Sequence, residues 1–306
     1  MAEHRGRKME FYKNSTIVLA LLGLALLFFP YASAQYNFEY VNVTTRVNVT
    51  HSMPVVLEVL VDQNITLNAG GFKTVYCNAT IRDWNGWDDI DVVNATLYHI
   101  SSFSGDSDSG NTHYTNASCD FVQLDVSDPY NASAVCTFEV IHYANSGDWF
   151  CNVTAEDFYN FTGSLENDTF IHELYALNVT DVIDYGDLAV MDFSFDIPAT
   201  ITNFGNMNIT VDVLGYGETE GDGLGLVCEL GDNIGVEHQR FTPSSGVAWD
   251  DKTILSHLNQ DMGLMIPQAT DLSAPSNHTT YWQLFVPPNP QGECTGNLRF
   301  TARPDS

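Results

Sequence analysis

The chain has 306 residues, with 39 acidic against 11 basic side chains and a formal net charge of −28. Such a surface repels nucleic acid and anionic lipid, which excludes both as partners, and it favours solubility and divalent cations. Apolar residues at 44% and aromatics at 12% suffice for packed cores and exclude a disordered chain.

Residues 1–34 read as a signal peptide. Arg5, Arg7, Lys8 and Lys13 precede an apolar run from Ile17 to Phe29, Pro30 breaks the run, and Ala32-Ser33-Ala34 follows. This is the basic, apolar and small-residue order of a secretory leader. The run is shorter than the ~20 residues of a comfortable membrane span; an uncleaved N-terminal anchor is the alternative. Cleavage after Ala34 starts the mature chain at Gln35. It keeps 7 of the 11 basic and 37 of the 39 acidic residues, a net charge of −30. The expected location is secreted or on the extracellular cell surface, with no membrane span after cleavage.

Residues 35–53, "QYNFEYVNVTTRVNVTHSM", form a separate strand segment. Tyr40, Asn42, Thr44, Arg46, Asn48 and Thr50 share one face, and Val41, Val43, Thr45, Val47 and Val49 the other. A free strand of this kind is an aggregation hazard, so it must pair with a sheet. A turn at Ser52-Met53-Pro54 would fold it onto its own chain; donation to a neighbour would build a polymer.

From Pro54 onward nearly every periodic stretch alternates. Val75, Cys77, Ala79 and Ile81 share a face, as do Val93, Ala95 and Leu97, and Ala134, Cys136, Phe138 and Val140. Ile209, Val211 and Val213 alternate, and so do Leu298, Phe300 and Ala302. Period two predicts half-buried antiparallel strands, and Gly/Asn/Asp/Ser clusters such as "DWNGWDD" and "GYGETEGDGLG" predict turns between them. Only "KTILSHLNQDMGLM" suggests a short helix. The spacing predicts an all-β fold: a β-sandwich over 54–165 whose core closes near Ala155, a linker over 166–185, and a second β-sandwich over 186–306.

The stretch "GDWFCNVT", residues 147–154, sets the phase of the first sandwich. Trp149, Cys151, Val153 and Ala155 face one way; the glycosylation acceptor Asn152 and Thr154 face the other. Cys77 likewise points in while Asn78 points out. The two cysteines are free to meet inside the sandwich while both acceptors face solvent. Six cysteines, an even number after a leader, favour disulfides over metal or redox chemistry.

Cys77, the following Trp84 and Trp87, and "SGDWFC" together resemble an immunoglobulin-like domain over residues 54–165. The resemblance implies an inter-sheet disulfide between the second and sixth strands, with a Trp of the third strand against it. Trp149 stands where such domains carry the corner tyrosine. In the second half, "ITNFGNMNITVDVLG" and "LFVPPNPQGECTGNLRFTA" resemble the ends of Ig-like modules of prokaryotic, especially archaeal, surface glycoproteins. There Cys294 replaces the usual aromatic residue, and Cys228, inward with Leu226 and Leu230 by parity, is its natural partner. The expected disulfides are Cys77–Cys151, Cys119–Cys136 (the remaining pair of the first domain) and Cys228–Cys294. The fold expected is two tandem Ig-like antiparallel β-sandwiches after a signal peptide.

Acceptor sequons begin at Asn42, Asn48, Asn64, Asn78, Asn94, Asn116, Asn131, Asn152, Asn160, Asn167, Asn178, Asn208 and Asn277. About four would arise from Ser and Thr frequency alone, so heavy N-glycosylation is expected. No motif of a nucleophilic hydrolase, a zinc protease or a phosphate loop occurs, so no catalytic residue, metal or cofactor is assigned and the chain is read as no enzyme. The loop "DWNGWDDID" offers Asp83, Asn85, Asp88, Asp89 and Asp91 as oxygen ligands for Ca²⁺, without the EF-hand's third acidic position or terminal Glu; a polar turn on Gly86 is the alternative. The functional expectation is an acidic surface glycoprotein with a structural or adhesive role, its partners other surface proteins or glycans, with self-assembly among the options. A filament subunit built by strand donation and a carbohydrate-binding or carbohydrate-active protein are the alternatives.

Overall fold

The computed structural model describes residues 40–305. The expected leader therefore lies outside the described residues, as does the start of the strand segment. Residues 40–49 belong to a unit of their own, separate from residues 50–306. They form no ladder, and Val41, Val43, Val47 and Val49 are exposed.

The alternating stretches become strands. Nine of them build the first group of sheets: β1 (Val55–Val61), β2 (Asn64–Ile65), β3 (Phe72–Arg82), β4 (Ile90–His99), β5 (His113–Asn116), β6 (Asp120–Asp125), β7 (Asp128–Ile141), β8 (Gly147–Asp157) and β9 (Thr162–Ile171). One sheet has the order β1-β3-β7-β6, the other β2-β9-β8-β4-β5. Pairing is antiparallel throughout, except that β2 runs parallel to β9. The inward phase read from the sequence is the buried one: Val75, Cys77, Ala79 and Ile81 of β3 and Trp149, Cys151, Val153 and Ala155 of β8 belong to one core. Full burial of a Val or Ile side chain among them contributes about 1.5–3 kcal/mol over its exposed state.

Eleven further strands follow: β10 (Leu177–Val179), β11 (Ile197–Asn203), β12 (Ile209–Tyr216), β13 (Leu224–Leu230), β14 (Ile234–Gly235), β15 (Gln239–Thr242), β16 (Thr253–Ile254), β17 (Gln260–Ile266), β18 (Asn277–Leu284), β19 (Gln291–Thr295) and β20 (Asn297–Pro304). Their sheets are β10-β11-β18-β15-β16, β17-β12-β20 and β14-β13-β19. Phe241, Trp282, Ile201, Val211 and Val213 fill a second core, and Leu226, Ile234, Leu284 and Val286 a smaller third one.

Four expectations need correction. The first core does not close near Ala155, because β9 adds Ile171 to it. The span 166–185 is not a plain linker: it holds the second half of β9 and all of β10, which pairs with β11. The helix expected over 252–265 is absent. Met262, Leu264 and Ile266 are buried at every second residue, so period two prevails and the segment becomes β16 and β17. Neither Trp84 nor Trp87 lies on a third strand. Trp84 is exposed in the loop after β3, and Trp87 packs half-buried on the core from a short 3₁₀ turn. The core tryptophan is Trp149, fully buried, whose Nε1–H donates to the Asn145 carbonyl at 2.8 Å. It thereby makes the upstream backbone bond that a corner tyrosine makes with its hydroxyl.

The two groups of sheets meet through the turn "NFGN". Asn206, 1% exposed, donates from Nδ2 to the carbonyls of Ala144 and His172, both at 3.0 Å, and accepts the Leu174 N–H at 2.6 Å. Asn203, also buried, donates to the carbonyls of Met207, Ile266 and Pro267. Gly205 stands between them because a Cβ there would collide with the Leu174 carbonyl. Gln268 Nε2 reaches across to the Tyr143 carbonyl at 2.7 Å, and Ile141, Tyr143 and Ala269 form a small apolar patch beside it.

Candidate functional site

Cys77 and Cys151 are joined across the two sheets of the first group, with Cα atoms 6.5 Å apart. Cys119, just before β6, is joined to Cys136 of β7, and Cys228 to Cys294. The last bond differs from its expectation in place. Cys228 and Cys294 are direct register partners on β13 and β19, so the bond lies within one sheet and is only half-buried. A register shift after Cys228 puts Leu230 on the surface, not beside it in the core.

The acceptor asparagines Asn42, Asn48, Asn64, Asn78, Asn160, Asn178, Asn208 and Asn277 are exposed, and Asn94, Asn116, Asn152 and Asn167 half-exposed. Asn94 and Asn152 come side by side on the outer face of β4 and β8, where Asn94 pairs with Thr154 and Thr96 with Asn152. Asn131 departs from the pattern: it is buried, its Oδ1 accepts from Arg82 Nε at 2.9 Å, and its Nδ2 donates to Asp128. Asn167 is register partner to the inward Cys151, so it stands on the inward phase, and its Nδ2 donates to the Val59 carbonyl at 2.8 Å.

Of the five loop residues offered as cation ligands, Asn85, Asp88 and Asp91 are exposed. Asn85 Oδ1 accepts the Ser52 N–H. Asp83 and Asp89 turn instead toward Asp157 at the end of β8.

A cleft of about 1010 Å³ lies between the segment 182–190 and the strand β19. Leu226, Ile234, Leu284 and Val286 form its floor. Beside the second core, β10 and β20 lie next to one another and leave a seam between their edges. Among the described residues β10 pairs only with β11, β19 only with β13, and β20 only with β12, so each presents one unpaired edge. The apolar side chains that pack on the second core without being fully covered by it are Tyr175, Leu177, Val179, Ile183 and Tyr185 on one margin, and Leu298, Phe300 and Ala302 on the other. The core is therefore incompletely covered along this one line. Tyr185 lines the cleft; its hydroxyl is buried and without a hydrogen-bond partner, and burial pushes the phenol well above its ordinary pKa.

Chemically, such a seam takes backbone. Two unpaired strand edges offer alternating N–H and C=O groups, and the half-covered apolar residues repeat at every second position of β20. An inserted strand with small apolar residues in the same period would satisfy both.

No family model and no curated protein matches the chain. Among solved structures it is similar to the CsuC–CsuE chaperone–tip adhesion subunit complex of the Csu pili of Acinetobacter baumannii, at 9% identity over 78% of this chain and 96% of that one, TM-score 0.36. It is similar also to the chaperone–tip adhesin complex of CFA/I fimbriae (7% identity, 83% of this chain and 84% of that one, TM-score 0.31). A third is the C-terminal domain of the Streptococcus agalactiae polypeptide BspA (9% identity, 82% and 96%, TM-score 0.22). At these values the likeness transfers no function to this chain.

Proposed function

We propose that the protein is an extracellular structural subunit that assembles by strand donation, residues 35–53 of one copy filling the seam between β10 and β20 of the next. The observation that carries this reading is the incomplete cover of the second core along two unpaired strand edges. The donor has the matching chemistry: Val41, Val43, Val47 and Val49 lie on one face, β-branched and exposed, in a segment that forms no ladder. Placed in the seam, its backbone would pair with β20, its valines would meet Leu298, Phe300 and Ala302, and a carbonyl could take the Tyr185 hydroxyl. The role is structural, the partner is a second copy, and the leader and the sequon density fit a glycosylated surface assembly.

The test is deletion of residues 35–50. The shortened, folded chain should run as a monomer by light scattering under conditions where the mature chain polymerises. A synthetic peptide of residues 36–50 should bind the shortened chain and protect β20 from hydrogen exchange. A mature chain that is monomeric at high concentration with residues 35–50 protected from protease would refute the proposal.

A further inference from the structure

We infer that Asp83, Asp89 and Asp157 form a calcium site at one end of the first pair of sheets. Asp83 follows β3 and Asp157 ends β8. Each extends the inward phase of its strand by one step, Asp83 after Ile81 and Asp157 after Ala155, so carboxylates occupy positions where the strand pattern calls for apolar residues. Asp83 is fully buried and Asp157 is 1% exposed. Asp89 enters from the 3₁₀ turn Trp87–Asp89, its side chain 16% exposed. One carboxylate oxygen from each of the three lies within 4.8 Å of the others.

The hydrogen bonds around these groups hold the site open at its centre. Asp83 Oδ1 accepts the Asn85 N–H at 2.7 Å, and Asp157 Oδ1 accepts the N–H groups of Tyr159 and Phe161 at 2.8 and 2.9 Å. These bonds fix both carboxylates from behind. The second oxygens, Oδ2 of Asp83, Asp89 and Asp157, are buried and have no hydrogen-bond partner. Among the described residues no Lys or Arg pairs with any of the three; the basic group in reach is His51, whose Nδ1 lies 3.5 Å from Asp89 Oδ2 and whose ring stacks on Tyr159. Three buried carboxylates without a fixed cation are a costly arrangement that a bound cation relieves.

The donor set selects the ion. All three ligands are hard, anionic oxygens, which disfavours zinc and copper. The three oxygens, all within 4.8 Å of one another, can share one ion coordinated at about 2.3–2.6 Å, the range of Ca²⁺. A cage of several protein carboxylates suits Ca²⁺ better than Mg²⁺, which keeps most of its waters. Water would complete the coordination on the Asp89 side, where the cluster reaches solvent. The ion would bind the loop after β3 to the turn after β8, and through Asn85 and His51 it would steady residues 51–52 where the chain enters β1. The three ligands themselves lie outside residues 35–53, so the site does not require assembly.

Calorimetric titration of the EDTA-treated, desalted mature chain with CaCl₂ tests this, with MgCl₂ and MnCl₂ as comparison arms. The expected result is one saturable Ca²⁺ event per chain above the diffuse binding of an acidic surface. Asp89→Asn and Asp157→Asn should lose it; Asp88→Asn and Asp91→Asn should keep it. At a hundredfold excess over Kd, Ca²⁺ should raise Tm by roughly 5–10 °C in the wild-type chain and leave that of Asp89→Asn unchanged. Asp89 is the least buried of the three, so its amide variant carries the test if Asp157→Asn fails to fold. A folded wild-type chain without a saturable event, an Asp89→Asn chain that titrates like wild type, or saturation by Mg²⁺ or Mn²⁺ but not Ca²⁺ would each overturn the assignment.

Discussion

Replacing Asn206 with Ala should destabilise the chain by about 3 kcal/mol. The side chain makes three buried hydrogen bonds, to the Ala144 and His172 carbonyls and from the Leu174 N–H. A net contribution of about 1 kcal/mol per bond gives that figure, with a spread of about 1.5–4.5. The upper part of the range applies if the stranded groups stay dry, because a buried donor or acceptor left without a partner bears its full desolvation cost. The loss should be local to the junction at first. Urea denaturation followed at Trp149 and Trp282, one tryptophan in each core, should show the two transitions drawn apart relative to wild type. Asn206→Asp separates hydrogen bonding from shape, since a carboxylate can still accept from Leu174 but cannot donate to the two carbonyls. A change below about 0.5 kcal/mol for Asn206→Ala, the scale of an ordinary surface substitution, with both probes still coincident, would refute the view that this turn joins the two groups of sheets.

Removing the Cys77–Cys151 bond by the paired alanine variant should cost on the order of 4 kcal/mol, from the 74-residue separation it closes in the chain-entropy model, measured by denaturant midpoint; an unchanged midpoint would contradict it. Asp222 should govern acid opening of the 217–224 loop. Partial desolvation works to raise its pKa, but the N–H groups of Leu224, Gly217, Thr219 and Glu218 outweigh this and hold it at about 2. Its folded value is thus depressed, so its contribution is present above the ordinary carboxylate pKa and fades as pH falls through about 2. Protection of those four N–H groups, relative to intrinsic exchange at the same pH, should fall there in wild type and be missing at every pH in Asp222→Ala. Glycopeptide mass spectrometry should find Asn131 unmodified while Asn78 and Asn152 are occupied, since a glycan on Asn131 would break its bonds to Arg82 and Asp128; an occupied Asn131 would refute the burial argument.

What the sequence reveals here is phase. Period two places Cys77 and Cys151 inward and Asn78 and Asn152 outward without reference to topology, because neighbouring strand residues must point to opposite faces. The same rule exposes Met262, Leu264 and Ile266 as a strand face; the apolar Met265 between the last two masks the alternation and makes a helical reading competitive. Partners across the fold are another matter. Asp89 lies in the acidic loop and is visible as a candidate, yet Asp157 stands 68 residues later and meets it only because β4 and β8 pair along their length. Its one sequence signal is a charge in the inward phase after Ala155. The seam is less legible still. Leu298, Phe300 and Ala302 read as ordinary core residues, and only the sheet order shows that, among the described residues, β20 has no second neighbour.

The register of β3 and β7 sets a condition on how this chain matures. Cys77 stands directly opposite Cys136 in that ladder, although its disulfide partner, Cys151, belongs to the other sheet. Four thiols in the first group of sheets admit three pairings, and the two that a zipped β3–β7 pair brings together first are a wrong one. Oxidation at that stage would trap a crosslink that bars Cys151 from its place in the core. Maturation therefore depends either on β8 docking before oxidation or on thiol exchange that clears the early bond. Its yield should rise with an exchange catalyst in the compartment where it folds.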